Sequence, residues 1–518
     1  MAMIAEQLEV VPAPFARARA HSAALESKLS GLEMTRAPHT EIEALLDAQG
    51  REWARLMFDE HMALRAAAER RVEVCGADGV DRNSARDSGR QLETLVGRVE
   101  VPRLAYQSPG SEDLHPLDAS LKLPRELFSH GIRRMVAKEV TRASFDEVVE
   151  IVHDYSGAQI AKRQVEELAV RAAQDFDAFY EQRTPEHAPT AELLILSTDG
   201  KGIVMRHEDL RAATRAAAAK KSRKVETRLT PGEKSNRKRM AQVATVYSVA
   251  PWVRSAGDIL HGLRDPKIEE KRPKPHDKRV WASVEKTPRA TIREMFDEAL
   301  GRDPQKERRW VVLVDGEPKQ LRAVKAEARR IGVEITLIVD IVHVLEYLWK
   351  AARALFDATS PKAEGWVGDR LLALLSGKSG GDVARTIRWW AARKKPGLDA
   401  AGQAVIETVT GYLADRSRTR MMRYADALHA GMPIATGVIE GACRYLVKDR
   451  MDRTGARWSL TGAEAILRLR AIRSSGDFDA YWEFHLARDY ERNHLSRYAD
   501  AAPPDPLPAP KPRLKRLK

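Results

Sequence analysis

Three short apolar runs, each closing on an aspartate, set the strongest constraint on what this chain can fold into. LLILST leads to Asp199, WVVLV to Asp315 and ITLIV to Asp340. Short apolar runs separated by stretches of helical period read as buried strands of an α/β sheet. Residues 289–300 and about 317–331 carry that helical period. A carboxylate just past the C-terminal end of a buried strand sits at the sheet edge, rigidly held and open to solvent. For one such acid, a turn or helix-capping role is the better explanation. Two of them written as an apolar run then Asp-Gly, at Asp199-Gly200 and Asp315-Gly316, favour a shared site. The Asp-Gly pair also suits a plain turn.

Paired acids of this kind suit phosphodiester chemistry. Two metal ions about 3.5–4 Å apart bind the attacking and leaving oxygens, and hard Mg²⁺ or Mn²⁺ prefers carboxylate oxygens. Two aspartates do not close such a site, so a third acid must come from elsewhere. The best candidate lies in TGVIEGACRYLVKDRMDRTGARW. There Thr436 can cap a helix entered at Gly437, which places Glu440 in an early turn with Arg444 and Lys448 on the same face. A solvated salt-bridge ladder fits that spacing equally well.

Composition agrees with a polyanionic partner without requiring one. Eighty-seven Lys and Arg face 74 Asp and Glu, a formal net charge of +13 in 518 residues. Such an excess favours nucleic acid or an anionic membrane surface, although a basic protein with no such partner is about as common. The two cysteines, Cys75 and Cys443, exclude a disulfide framework and a zinc ribbon. The opening MAMIAEQLEVVPAP lacks the order of a signal peptide, and no run nears the roughly 20 apolar residues of a membrane span. The expectation is a cytoplasmic protein associated with DNA, with no membrane.

Other chemistries fail on context. Gly377-Lys378-Ser379 ends like a P-loop, but Leu372 stands where the earlier glycine belongs, and no strand precedes it. The same letters mimic a nucleophile elbow without the strand that an elbow needs.

The remaining organisation follows from period and composition. Residues 1–90 read as a helical N-terminal region, and 91–125 as a β-hairpin segment built on LETLVGRVEVPRLAY. Residues 126–188 are helical. Within them, a turn at Gly157 joins two helices, and the second could enter a major groove with Gln159, Lys162, Arg163 and Gln164. An ordinary αα-hairpin is an equal alternative. Residues 189–349 form the first part of an α/β core, with strands expected at Leu193–Leu196, Gly202–Met205 and Gln242–Val249. The basic stretch Arg211–Met240 reads as a solvated insertion or DNA-contacting loop. Helices fill 350–432 and 433–485, and 486–518 is a basic, Pro-rich tail.

The order strand–Asp199, strand–Asp315, helix–Glu440 resembles DDE transposases with an RNase H-like core. More narrowly, STDGKGIVMR, VVLVDGEPKQL, DIVHVLEYLW and GVIEGACRYLVKDRMDRTGARWSLTGAEAILRLRA resemble bacterial insertion-sequence transposases of the ISKra type, related to Mutator-like transposases. The likeness covers most of residues 90–475. It implies an α/β RNase H-like catalytic core with a large all-α insertion at about 350–432, after a mainly helical N-terminal region with a β-hairpin. It also implies Asp199, Asp315 and Glu440 as catalytic groups and ligands of two Mg²⁺ or Mn²⁺ ions. Asp340-Ile-Val-His343 stands where such relatives carry Cys or Asp, two residues, then His. His343 then becomes a DNA or active-site contact, although a lone helical His is more often structural. Trp458 matches a family aromatic that stacks on an extruded base or packs in the core. With Lys162, Arg163, Lys201, Arg444, Lys448 and Arg457, these make the expected DNA-contacting set. The expected activity is cleavage at terminal inverted repeats and 3′-hydroxyl transfer into target DNA by a homo-oligomer. A catalytically inactive regulator and a nuclease without strand transfer are the alternatives.

Overall fold

The computed structural model describes residues 14–185, 188–220, 237–264, 272–357, 360–393, 398–453 and 455–508. The chain packs as two units, Met1–Phe179 with Asp479–Lys518, and Tyr180–Phe478.

In the first unit the thirty-residue helix His39–Ala68 covers a hairpin of β1 (Ser84–Thr94) and β2 (Gly97–Gln107). Met62 from the helix packs with Leu92, Val99 and Val101 from the hairpin. The hairpin starts eight residues before the apolar alternation at Leu92, within a segment assigned to the helical region. SARDSGRQ has no apolar face, yet it pairs in unbroken register from Ser84↔Gln107 to Thr94↔Gly97. Backbone pairing, not burial, extends it. Helix Phe145–Ser156 starts with a capping box of Ser144 and Glu147 and ends at Gly157, whose φ is 70°. Helix Lys162–Ala172 follows. Buried charges in this unit are paired, as they must be to offset desolvation. Arg133 donates to both carboxylate oxygens of Asp489 at 3.0 and 3.1 Å, and Arg492 does the same to Asp175 at 2.9 and 3.0 Å.

The second unit is mixed α/β. Its five strands are β3 (Leu193–Val204), β4 (Lys238–Val249), β5 (His276–Ser283), β6 (Trp310–Val314) and β7 (Ile335–Val339), ordered β5-β4-β3-β6-β7. The first three run antiparallel, while β6 and β7 continue parallel to β3. WVVLV of β6 is buried throughout, as expected for a central parallel strand. Helix Pro288–Arg302 leads into it and buries Ile292, Met295, Phe296 and Ala299. Helix Pro318–Ile331 joins β6 to β7 and closes at Gly332, whose φ is 64°. Helix Ile341–Leu355 follows β7, and Lys362–Leu375, Gly380–Arg393, Ala400–Arg418 and Tyr424–His429 make the following segment helical. The chain then returns through helices Gly437–Ala442 and Leu460–Ser475.

Two expectations change. Leu193–Leu196 and Gly202–Met205 are not separate strands; β3 runs unbroken for twelve residues because β4 pairs with it from Leu193↔Val249 to Val204↔Lys238. In the basic stretch, Ala212–Ala219 is a helix and β4 begins at Lys238, while residues 221–236 lie outside the described residues. The end of the basic tail, 509–518, lies outside them too. No helix among the described residues is long and apolar enough to cross a membrane.

Candidate carboxylate centre

Three aspartates stand at one edge of the sheet. The β3–β6 register ends at Ser197↔Leu313 and the β6–β7 register at Val314↔Val339. Asp199 and Asp315 each lie two residues beyond the last β3–β6 pair, and Asp315 and Asp340 each lie one residue beyond the last β6–β7 pair. Asp199 lies inside β3, not past its end as the sequence implied; what ends there is the pairing with β6. Asp340 is fixed by both flanks, its N–H donating to Val314 O at 2.9 Å and its carboxylate accepting from Val342 N at 2.9 Å. That second bond caps helix Ile341–Leu355.

The Asp315-Gly316 turn is held from the helical segment. Tyr412 donates its hydroxyl to Asp315 O at 3.1 Å, and Arg416 donates Nη2 to Gly316 O. Gly316 has φ 93°, a conformation that favours glycine, and a Cβ there would lie 2.8 Å from Arg416 Nε, so the arginine would have to shift. Tyr412 stacks on Tyr347 with centroids 4.1 Å apart and planes 9° from parallel. His343 packs edge-on against both rings, 5.3 and 6.0 Å away, with Nδ1 3.7 Å from Glu346.

Glu440 reaches the cluster from helix Gly437–Ala442. Thr436 begins that helix, but its hydroxyl does not cap the backbone as expected. It donates to Asp340 Oδ2 and lies 3.4 Å from Glu440 Oε1. Burial, the charge of Asp340, its hydrogen bond and the more distant charge of Asp199 push the Glu440 carboxyl above its ordinary range.

The next turn, Cys443–Lys448, is a π-helix. Its wider turn breaks the four-residue spacing that put Arg444 and Lys448 on one face with Glu440, and the salt-bridge ladder offered as the alternative does not form either. Arg444 instead approaches Asp449, at 3.7 Å. The same turn brings the buried thiol of Cys443 to Asp199 Oδ2, at 3.3 Å. Burial and the neighbouring Asp199 push that thiol well above its usual range, while Lys201 opposes the shift. Lys201, two residues beyond Asp199 on β3, shares its face of the strand.

The remaining candidates disperse. Lys162 and Arg163 are exposed in the first unit and ion-paired to Asp146 and Glu167, at 2.6 and 2.9 Å. Arg457 is exposed. Trp458 is 6 % exposed, donates Nε1 to Met451 O at 3.0 Å and carries Arg450 over its ring at 4.8 Å, so it packs in the core and offers no open face for a base. Tyr412, Arg416 and Cys443 were not singled out from sequence. Cys443 sits three residues after Glu440, a visible helical neighbour, whereas nothing in the sequence connects Tyr412 to a turn 97 residues earlier.

The donor set suits a hard divalent cation, because Asp199, Asp315 and Glu440 offer carboxylate oxygens from three rigid elements. The side chains are not gathered around one point: among the described residues no three acids, histidines or cysteines are grouped as a metal site. Glu440 is turned to Asp340 and Thr436, and Asp199 to Cys443. No protein-family model matches this chain, and no curated protein matches it.

Proposed function

We propose that this chain is a DNA transposase, a nuclease and strand-transferase whose catalytic carboxylates are Asp199, Asp315 and Glu440 on an RNase H-like core. The observation that carries the reading is the placement of acids from neighbouring elements: Asp199 and Asp315 just beyond the last β3–β6 pair, Asp340 just beyond the last β6–β7 pair, and Glu440 tied towards Asp340 through the Thr436 hydroxyl. Clustered carboxylates repel phosphates and one another, so a surface meant only to bind DNA has no use for them. That repulsion favours an enzyme over a catalytically inactive regulator. The placement of β3 beside β6, with an aspartate from each at the shared edge, supports the RNase H-like reading.

Asp199 and Asp315 would hold Mg²⁺ or Mn²⁺, with Glu440 completing the set. When bound, two such ions activate the attacking oxygen and stabilise the leaving one. Tyr412 and Arg416 keep the Asp315-Gly316 turn in place before substrate arrives. Lys201, on the Asp199 face of β3, meets a phosphate of the DNA.

Strand transfer requires two element ends, so DNA ends and a second copy of the chain are the expected partners. The test is incubation with Mn²⁺ and a supercoiled plasmid beside duplexes carrying the element's own ends, with sequencing of the joints. Joined products establish a transposase. Nicked plasmid without joints reduces the activity to a nuclease, and neither product overturns the reading.

A further inference from the structure

The helix His39–Ala68 carries two apolar faces. Phe58 and Met62 lie on the one that covers the β1–β2 hairpin. Leu46, Trp53, Met57 and Leu64 make the other. At 3.6 residues per turn these four fall within about 20° of a single line, along about 27 Å of helix. Leu46, Trp53 and Leu64 are 44, 42 and 43 % exposed, and Met57 is partly buried. Isolated apolar side chains on a surface are ordinary, whereas an aligned set marks a contact face.

Steps of four and three residues along this face give Leu46, Gly50, Trp53, Met57, Glu60 and Leu64, the alternation that forms the seam between two packed helices. Helix Ala16–Leu29 packs along one flank and leaves the seam open. Its Arg17 and Ala18 N–H groups donate to Glu60 at 3.1 and 3.0 Å, and the Arg17 side chain donates to Asp59 at 2.7 Å. A Cβ at Gly50 would meet nothing within 4 Å, so the seam is open there too.

We infer that this stripe is the interface through which two copies of the chain form an antiparallel dimer, without DNA. About a two-fold at the middle of the stripe, Leu46 faces the partner's Leu64, Trp53 the partner's Met57, and Gly50 the partner's Glu60. Each seam position then has its counterpart, as a closed two-fold contact requires. Charge fixes the direction. A parallel pair would set Glu60 against the partner's Glu60 and Gly50 against the partner's Gly50, a like-charge contact and a gap. The antiparallel pair gives the Glu60 side chain the room that glycine leaves. It also brings Asp47, which keeps its own pair with Arg51, beside the partner's His61 at both ends of the seam. Asp47 and His61 are both exposed. The inference goes beyond the proposed reaction, because it concerns the first unit alone and holds whether or not the chain cuts DNA.

Sedimentation velocity of the full chain without DNA, over a series of concentrations, tests it. The wild type is expected to sediment as a dimer that dissociates on dilution. Leu46→Glu and Leu64→Lys each bury an unmatched charge at both ends of the seam, and each is expected to raise the dissociation constant about a hundredfold. Both positions are exposed, so the far-ultraviolet circular dichroism of either variant should match the wild type, which separates loss of the dimer from loss of the fold. An equimolar mixture of the two variants is expected to recover most of the affinity. In the mixed dimer the introduced glutamate meets the introduced lysine at one end, and Leu46 meets Leu64 at the other. A wild type that is monomeric at every concentration overturns the inference, as does a dimer that both variants leave intact. A mixture that stays monomeric overturns it as well, since only the antiparallel pair brings Leu46 and Leu64 together. Loss of this dimer leaves the cleavage test untouched, and a chain that never cuts DNA can still pair in this way.

Discussion

The phenolic hydroxyl of Tyr412 donates to the main-chain carbonyl of Asp315 across 97 residues, at 3.1 Å. Helix Ala400–Arg418, within the helical segment 350–432, thus fixes the turn that carries Asp315. Removing this bond in Tyr412→Phe forfeits about 0.5–1.5 kcal/mol of turn positioning. The expected outcome is a two- to tenfold fall in cleavage rate with DNA affinity unchanged. The metal concentration for half-maximal rate should rise in parallel, which a general loss of stability would not produce. Single-turnover kinetics across a Mn²⁺ titration measures both.

Thr436 joins Asp340 and Glu440 through one hydroxyl. Thr436→Val keeps the shape and removes the donor, leaving a 2 % exposed aspartate without it. That change is expected to lower unfolding stability by about 1–3 kcal/mol. Thr436→Ser is expected to recover most of the loss. Chemical denaturation of the three proteins checks this, and equal stability of the Val and Ser variants would contradict the role given to the hydroxyl.

Gly431 admits the Trp252 main chain where any Cβ would collide with it, in a backbone region that disfavours side chains. Gly431→Ala is expected to destabilise the second unit by about 1–3 kcal/mol. Thermal unfolding with and without the substitution tests the expectation.

Glu440 holds its proton above the ordinary glutamate value of 4.5, chiefly through burial and then Asp340. Just above pH 4.5 the folded chain therefore keeps a proton that the unfolded chain has lost, and this group's contribution to stability falls as pH rises through that window. Asp340→Asn removes the repelling charge, so its unfolding midpoint should fall less steeply over the same range. Divalent metal bound to Glu440 should likewise reduce the loss on the alkaline side. Calorimetry at a series of pH values, with EDTA or Mn²⁺, reads both effects.

Sequence made the sheet legible where burial and period coincide. WVVLV is buried throughout and ITLIV, at the sheet's edge, is buried at Ile338 and Val339, and their terminal aspartates follow directly. It misplaced what depends on partners. β3 runs through Asp199 because β4 pairs with it along its whole length, and β1 begins at Ser84 for the same reason. The π turn at Cys443–Lys448 also escaped notice, since Arg444 and Lys448 keep perfect α spacing in the letters alone. Trp458 reads as well for stacking as for packing until its 6 % exposure is known. The hold of Tyr412 and Arg416 on the Asp315 turn is a tertiary fact with no local signature.

The most direct test of the central claim is metal-dependent nicking of a labelled duplex carrying the element's end, wild type beside Asp315→Asn. The expected result is a nick at the end with Mg²⁺ or Mn²⁺ that disappears in Asp315→Asn, while the variant still binds the duplex. Binding by both proteins with cleavage by neither, or equal cleavage by both, would contradict the assignment of Asp315 to the chemistry.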